Sequence, residues 1–252
     1  MKKTIILLAC LSLVMAACSK VERNEKKFLS EMQSDDYEKS AQAFDEFCKW
    51  LQNDRSTMTH DFSHMREQLG MKICTSPDGK LRTYSWITSG SENEAMYANV
   101  LQWTSGDDFV GYCGPLDFLL AGRKSDIKKR SSYVHSIDTI YQLEAGGRTI
   151  YLIAQSYLNQ AGLKRSYVSG ATIVGVQLSL LPNLFDGVEI AGNNEYADSS
   201  NTPVDQLFKW DPKARRFYAY VTDDNNRIIP GRYTVYELRD LQFKRLSPDQ
   251  EN

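Results

Sequence analysis

The sequence predicts an α+β fold, in which one or two N-terminal helices pack on a mostly antiparallel β-sheet domain. Between residues 35 and 70, apolar side chains recur every three or four positions, which is the spacing of one helix face. From 71 to 246 the period changes to two, and short apolar runs alternate with turn sequences. No internal repeat is visible, which disfavours a propeller or a solenoid. We therefore predict a single α+β domain over 35–252.

The first predicted helix begins at Asp35, because Asp35 and Glu38 have the spacing of an N-cap and its N3 partner. Its inner stripe consists of five apolar residues: Tyr37, Ala41, Phe44, Cys48 and Leu51. Asn53 and Asp54 are expected to end it. A second, shorter helix is predicted over 59–69, with Phe62, Met65 and Leu69 on one side and Gly70 as its stop signal.

The strands are predicted from turn sequences and from the alternation of apolar and polar residues between them. Strands 71–74 and 81–88 flank Ser76-Pro77-Asp78-Gly79-Lys80, and Gly146-Gly147 has the residues of a hairpin turn. Further strands are predicted at 96–104, 109–112, 134–143, 149–154, 171–181, 184–190, 208–210, 217–222, 232–238 and 241–246. Segments 122–132 and 192–205 are expected to be loops, and 114–132 could instead hold a short helix.

The first 17 residues have the pattern of a signal peptide. Lys2 and Lys3 precede an apolar run from Ile5 to Met15, and small residues follow. The run has about 11 residues, whereas a helix needs about 20 to cross a bilayer. A permanent transmembrane anchor is therefore not expected.

The signal ends in Ala16-Ala17-Cys18, which resembles the lipobox of bacterial lipoproteins, with Met15 where Leu is usual. The resemblance implies cleavage before Cys18, diacylglycerol on its sulfur and an acylated amine. It also implies an exported protein anchored in the cell envelope, and Ser19 after the cysteine favours the outer membrane. The alternative is ordinary cleavage after Ala16 or Ala17, which leaves Cys18 as a free thiol. Whether the domain faces the periplasm or the cell surface is left open.

Residues 18–34 are polar and charged, and we predict that they form a lipid-anchored tether. The whole chain carries 30 basic and 32 acidic residues, and removal of Lys2 and Lys3 with the signal leaves 28 basic residues and a net charge near −4. That charge argues against nucleic-acid binding, which depends on clustered Lys and Arg.

Three cysteines remain downstream of Cys18. Cys48 lies on the apolar face of the first helix, so we expect it to stay unpaired and Cys74 to form a disulfide with Cys113. The alternative is that all three are buried and reduced.

Two polar motifs have the residue types of metal sites. His60 and His64 are four apart, but Asp61 stands where a peptidase needs Glu and no third ligand is evident, so solvated helix-face histidines are favoured. Asp223-Asp224-Asn225-Asn226 lacks the spacing of a calcium loop and is favoured as a hairpin turn. No metal and no cofactor is predicted.

Tryptophans and tyrosines are frequent in the predicted strands. Trp86, Trp103 and Trp210 are the candidate ligand-binding residues, since exposed aromatic rings on a sheet can stack against sugars or cap a peptide. The alternative is packing, because strands favour these residues for burial alone.

Signatures of catalysis are missing from the sequence: it has no Gly-x-Ser-x-Gly elbow, no phosphate-binding glycine loop and no Cys-x-x-Cys. A glycosidase pair has no local spacing rule, so four acids stay open as candidates: Asp107, Asp108, Asp186 and Glu189. An enzyme is therefore less expected than a binding protein.

The region 70–245 resembles a group of secreted bacterial lipoproteins of unknown function, through Leu81-Arg82-Thr83-Tyr84-Ser85-Trp86 and the aromatic strands of 208–238. That group implies no activity. The sequence thus predicts a lipid-anchored envelope protein that binds a glycan, a peptide or a partner protein without catalysis. The alternatives are an inhibitor or immunity-type lipoprotein that uses a loop such as 192–205, and an envelope hydrolase.

Overall fold

A computed structural model describes residues 20–34, 36–89, 96–106, 108–113, 134–158, 163–181, 183–185, 190–196 and 203–247. Within these ranges the chain forms helices near its N-terminus and three antiparallel sheets, which confirms the predicted α+β class. The predicted signal peptide, Cys18 and the segment 114–132 lie outside the described residues.

The helices are α1 (20–32), α2 (Tyr37–Asn53), α3 (Ser63–Leu69) and α4 (Val204–Leu207), with a 3₁₀-helix at Arg55–Met58. The strands are β1 (Lys72–Thr75), β2 (Leu81–Ser89), β3 (Met96–Ser105), β4 (Asp108–Cys113), β5 (Val134–Ala145), β6 (Arg148–Leu158), β7 (Lys164–Val174), β8 (Gln177–Leu180), β9 (Ile190–Tyr196), β10 (Phe208–Asp211), β11 (Arg216–Thr222), β12 (Ile228–Arg239) and β13 (Gln242–Arg245).

The predicted tether is wrong from Lys20 onward, because this segment is helix α1 and packs on the core. Val21, Phe28 and Leu29 are each at most 6% exposed, and the Glu25 side chain is fully buried. The apolar residues at 21, 28 and 29 share one helix face, but they are too few to stand out in a polar sequence. Only the neighbouring helices reveal that this face is covered.

Helices α1 and α2 form an antiparallel hairpin. Ser40 Oγ donates to the Met32 carbonyl at 3.0 Å, and Lys27 Nζ lies 3.3 Å from Glu46 Oε2. Burial acts to raise the pKa of Asp54, but bonds from neighbouring groups and the charge of Lys20 bring that pKa below its usual value. The antiparallel contacts place the start of α1 beside the end of α2.

The predicted helix boundaries shift when tertiary contacts are added. Asp36, not Asp35, caps α2, since its carboxylate accepts the amides of Glu38 and Lys39. Helix α3 begins at Ser63 rather than 59, because Phe62 has a left-handed backbone and a fully buried ring. Gly70 ends α3 in the left-handed conformation with φ 63°, as predicted.

Three sheets follow in chain order, which we call the N-terminal sheet (β1–β4), the middle sheet (β5–β9) and the C-terminal sheet (β10–β13). The middle sheet has the order β5-β6-β7-β8, and β9 also pairs with β7. Each sheet is a set of neighbouring antiparallel strands, which short connections can join.

The sheets stack as layers with the middle sheet between the other two. Along β6, Tyr151 and Ile153 pack toward the N-terminal sheet, whereas Ile150 and Leu152 pack toward the C-terminal sheet. Successive side chains of a strand point to opposite faces, so this alternation places one layer on each side. The helices cover the outer face of the N-terminal sheet through Tyr84, Trp86 and Val100 of β2 and β3.

Three sequence predictions change within the middle sheet. The single strand predicted at 171–181 is the β7–β8 hairpin, which turns at Gly175 with φ 58°. Within the described part of the strand predicted at 184–190, Phe185 forms a single bridge to Phe243, and Ile190 is already the first residue of β9. The loop predicted at 192–205 is β9 up to Tyr196, and the tyrosine side chain is fully buried.

One end of the stack, which we call the turn end, collects the tight turns at 76–80, 146–147, 175–176 and 240–241. The middle-sheet register pairs Tyr151 with Ala171, so the β5–β6 and β7–β8 turns lie at the same level.

Bonds join the other turns to this level. The Trp103 indole donates to the Val176 carbonyl at 3.1 Å, and the Asp78 amide donates to Gln142 Oε1 at 2.8 Å. The turn at 240–241 reaches Gly146, because a Cβ added to Gly146 would lie 2.6 Å from Leu241 Cδ2.

Among the described residues, none of the helices combines the length and the apolar character that a membrane crossing requires.

Candidate functional site

A cleft of about 630 Å³ opens near the turn end, where all three sheets contribute residues. Its size lies in the range of small-ligand sites. Its lining consists of Pro77, Asp78, Gln142, Leu143, Glu144, Trp210, Pro212, Arg215 and Leu238. The cleft is the candidate binding site because it contains one of the three tryptophans that the sequence predicts to bind a ligand.

The wall from the N-terminal sheet is the β1–β2 turn. The Asp78 carboxylate accepts bonds from Ser76 Oγ at 2.6 Å, the Lys80 amide at 3.1 Å and the Tyr151 hydroxyl at 2.9 Å. Burial raises the pKa of Tyr151, and its bond to Asp78 raises it further. Tyr151 therefore stays neutral, and its bond to Asp78 fixes the β1–β2 turn to the middle sheet.

The wall from the C-terminal sheet centres on Trp210. Its ring is half-buried and meets Phe243 edge-on, with centroids 5.7 Å apart and an interplanar angle of 90°. Within the described chain the Trp210 indole N–H has no hydrogen-bond partner. The side chain thus presents both an apolar ring and an unused donor at the cleft.

Arg215 closes the same wall from the β10–β11 turn. Its backbone is left-handed, with φ 53°, which costs a non-glycine residue on the order of 1 kcal/mol. Asp211 holds the turn by accepting the amides of Lys213 and Ala214 at 2.9 and 3.0 Å, and these bonds lower its pKa. The Arg215 guanidinium is exposed and makes no ion pair with any described residue.

The floor of the cleft is strand β5. Gln142 Oε1 is occupied by the Asp78 amide, and Glu144 accepts a bond from Thr149 Oγ1 at 2.7 Å. Among the described residues, the cleft groups without a partner are the donors of Trp210, Arg215 and the Gln142 amide nitrogen, together with the second carboxylate oxygen of Glu144. Such a set can hold a ligand that has an apolar face and several oxygen acceptors.

The other two candidate tryptophans are in the core, so the predicted ring platform is wrong as a group of three. Trp86 is 3% exposed and packs under the helices, and Trp103 is 6% exposed and packs between the N-terminal and middle sheets. Alternation along β2 and β3 predicts that these rings project from a face of the sheet. It does not predict that another layer of the fold covers that face. Only Trp210 reaches a cleft.

The predicted Cys74–Cys113 disulfide is absent. Cys74 is a free thiol, with its sulfur 3.3 Å from the Asp138 carbonyl, and burial raises its pKa. The two cysteines stand on β1 and β4, the outer strands of the N-terminal sheet. Three strand spacings separate them by about 14 Å, twice the reach of a disulfide. Cys48 is buried, as expected from its helix face.

The two candidate metal histidines bind different carboxylates. His60 Nε2 lies 2.7 Å from Glu25 Oε2, and His64 Nε2 lies 3.5 Å from Glu22 Oε1. Because α3 begins at Ser63, the pair does not share a helix face, and His60 is half-buried rather than solvated. Among the described residues no three His, Cys, Asp or Glu side chains converge as a metal site requires.

The sequence does not predict that Glu25 is a buried residue that connects two helices. Its second oxygen accepts the Met65 amide at 2.9 Å, so α1 holds the first turn of α3. A glutamate inside a charged segment gives no local signal of burial.

A chain of polar groups crosses the other end of the stack. Asp138 pairs with Lys72 at 2.5 Å and accepts from Ser156, whose hydroxyl lies 2.7 Å from that of Ser166. Ser166 also lies 2.7 Å from the Tyr196 hydroxyl. Ser156 and Ser166 are at most 3% exposed, so these bonds satisfy polar groups in the core and leave no room for a substrate.

The acidic segment at 223–226 is a hairpin turn, as favoured by its composition. Asp223 Oδ1 accepts the amides of Asn225 at 2.9 Å and Arg227 at 2.8 Å. Of the four glycosidase candidates, Asp107, Asp186 and Glu189 lie outside the described residues, and the Asp108 side chain is likewise not described.

No protein-family model, no curated protein and no solved structure matches this chain.

Proposed function

We propose that the protein is a lipid-anchored component of a bacterial cell envelope that binds a ligand without catalysis. Cys18 carries the lipid, and Ser19 after it favours the outer membrane. The ligand is a glycan, a peptide or a segment of a partner protein, and it binds in the cleft. The pattern that ends at Cys18 supports the location, and the cleft supports the binding role.

The cleft supports the proposal because two of its lining side chains offer polar groups that no described residue uses. Among the described residues, the Trp210 indole N–H has no hydrogen-bond partner and the Arg215 guanidinium has no ion-pair partner, although the Arg215 backbone is held in an unfavourable conformation. Strained residues cluster at functional sites, since the surrounding structure must maintain them. A binding role explains why a turn would hold an arginine there.

The location is tested in a bacterial host by feeding an alkyne-tagged fatty acid. We expect the tag on the wild-type protein and its loss from the Cys18→Ala variant. An untagged wild-type protein recovered from the culture fluid would contradict the proposal.

The binding role is tested with purified lipidated protein in detergent on an array of envelope glycans and peptides. For any compound that binds, Trp210→Ala and Arg215→Ala should weaken binding by about tenfold each, as a loss of about 1.4 kcal/mol per contact requires. Arg232→Ala is the matched control, because this exposed arginine is on the same sheet but does not line the cleft. Equal binding by all four proteins would exclude the cleft.

A further inference from the structure

The start of α1 stands very close to the proposed lipid. Only Ser19 separates Cys18 from Lys20, which is already helical. Two peptide steps span at most about 7 Å, whatever their conformation. A lipidated Cys18 therefore brings the α1 start to the bilayer surface without any flexible spacer.

The α1 start lies at the turn end of the stack. It lies beside the end of α2, because the contacts Met32–Ser40 and Lys27–Glu46 run antiparallel, and the 3₁₀-helix follows α2 directly. Arg82, the second residue of β2 after the 76–80 turn, donates to the carbonyls of Thr57 and His60 at 3.1 and 2.5 Å. The same end of the molecule thus holds the anchor and the tight turns.

Exposed apolar side chains gather at this end too. The large hydrophobic residues that are exposed in the described chain are Val174 at 55%, Val176 at 53%, Ile87 at 47% and Leu241 at 39%. Val174 and Val176 flank the β7–β8 turn, and Leu241 lies in the β12–β13 turn. Ile87 is the exception, since it is five residues beyond Arg82 along β2 and so about 17 Å farther from the turn end.

We propose that the turn end rests on the lipid bilayer, with the β7–β8 and β12–β13 turns in the headgroup layer, an inference that rests on lipidation of Cys18. Three points then define the contact: the α1 start, the tip at Val176 and the tip at Leu241. Acidic and basic residues are mixed at this end, as with Asp78 and Lys80, so the apolar tips and the anchor set the orientation. The cleft lies near the same end, so a ligand bound there would be close to the membrane.

A fluorophore on a single introduced cysteine tests the contact. Val176→Cys and Ile87→Cys are matched, because both positions are about half exposed but lie at opposite ends. Each lipidated protein is labelled, reconstituted into vesicles of phosphatidylethanolamine and phosphatidylglycerol, and quenched with spin-labelled lipids. Parent protein labelled in the same way gives the background from native thiols. We expect about threefold stronger quenching at 176, as for a group within about 5–10 Å of the acyl boundary. Equal quenching, or stronger quenching at 87, would overturn the proposal.

A longer spacer tests the role of the short anchor. Twelve Gly and Ser residues inserted between Ser19 and Lys20 let the domain move by about 20 Å from the lipid. Quenching at 176 should then fall to the value at 87. Quenching that survives the insertion would show that the anchor does not set the orientation.

Hydrogen exchange provides a second measurement on the unsubstituted protein. In vesicles compared with detergent, exchange should slow at 175–176 and 240–241 but stay unchanged at 223–227. Unchanged exchange at all three turns would overturn the contact. The mass of the N-terminal peptide separates the two proposals: an unacylated Cys18 overturns both, whereas an acylated Cys18 with equal quenching overturns only this one.

Discussion

The helix-covered face of the N-terminal sheet and the contact between the middle and C-terminal sheets are both buried, but different interactions hold them. Under the helices, Arg82, Tyr84 and Gln102 form a polar network beside packed aromatic rings that include Phe47 and Phe62. Between the two later sheets, aromatic rings fill the space: Phe185, Phe208, Phe217 and Phe243 are all at most 1% exposed. Aromatic rings pack at both contacts, and the first contact adds hydrogen bonds from buried arginine and glutamine side chains.

The polar network explains why the 3₁₀-helix sits where it does. Gln102 Nε2 donates to the Leu51 carbonyl at 2.6 Å and lies 2.7 Å from Thr57 Oγ1, while its oxygen accepts from Tyr84 at 2.5 Å. Each of these groups would be costly to bury alone, so they specify one position of the helices on the sheet. The four phenylalanines between the middle and C-terminal sheets, which we call the ring cluster, have no polar side-chain atoms, so their packing tolerates shape-conserving change better.

The largest expected effect comes from opening the ring cluster. The Phe217 ring lies between 5.6 and 6.1 Å from those of Phe185, Phe208, Phe243 and Tyr141. Phe217→Ala should lower the free energy of unfolding by about 3–5 kcal/mol, because the hole cannot collapse fully. Urea unfolding measures the loss, and Phe217→Leu should cost less than half as much. An equal loss for both would show that ring shape is not what holds this contact.

Removal of Arg82 should have the next largest effect. Arg82→Met removes the arginine donor from the carbonyls of Thr57, Met58 and His60, of which the Thr57 carbonyl still accepts from the Tyr84 hydroxyl at 3.3 Å. Because Arg82 Nε itself has no partner among the described residues, the variant also removes one unsatisfied group, and we expect a loss of about 2–3 kcal/mol.

The matched control for Arg82 is Arg239→Met, at an exposed arginine that pairs with Glu237 at 2.6 Å, and its effect should stay within about 0.5 kcal/mol. Urea unfolding of both variants compares them. If the two losses are equal, the network does not distinguish the helix-covered face.

The smallest effect concerns pH, at the edge of the ring cluster. Burial raises the pKa of Tyr141 to about 12, and the charges of Asp205 and Asp138 add to the rise. The hydroxyl donates to the Phe208 carbonyl at 3.0 Å, a bond that is lost on ionisation.

Since the folded-state pKa lies above the unfolded value of 10.0, this tyrosine stabilises the fold fully below pH 10 and loses that contribution as pH rises toward 12. The loss should be on the order of 1–2 kcal/mol, allowing for solvent that still reaches the ring. Tyr141→Phe should remove this part of the pH dependence. Urea unfolding of both proteins at several pH values between about 9.5 and 12 measures the difference. A parallel decline in both proteins would assign it to other groups.

The local sequence is sufficient to predict an element that carries enough apolar residues on one face, and a turn that carries the right residue types. The stop at Gly70, the hairpin at Gly146-Gly147 and the Asx turn after Asp223 need no information beyond a few neighbouring residues. The hairpin at Gly175 was missed because β7 and β8 together read as one apolar run. Turn signals fail when a single glycine must be distinguished from a strand residue.

The candidate site could be predicted only in part. Trp210 was identified by its residue type, but the same argument selected Trp86 and Trp103, which other layers bury. The sequence does not predict Arg215 as a site residue, because its distinguishing feature is a left-handed backbone beside Trp210 in the cleft. The residues that line a site between three sheets come from distant parts of the chain, so no fixed sequence spacing identifies them.

The sequence by itself determined the class of the fold and the order of N-terminal helices before sheets, and it predicts the signal-peptide pattern that ends at Cys18. These features are local, because periodicity, turn chemistry and the pattern of a signal peptide each depend on consecutive residues. Only the tertiary structure decided that residues 20–32 pack rather than extend, that Cys74 and Cys113 stand at opposite edges of a sheet, and that one tryptophan of three reaches a cleft. Burial depends on what covers a side chain, and the covering residues here come from distant parts of the chain.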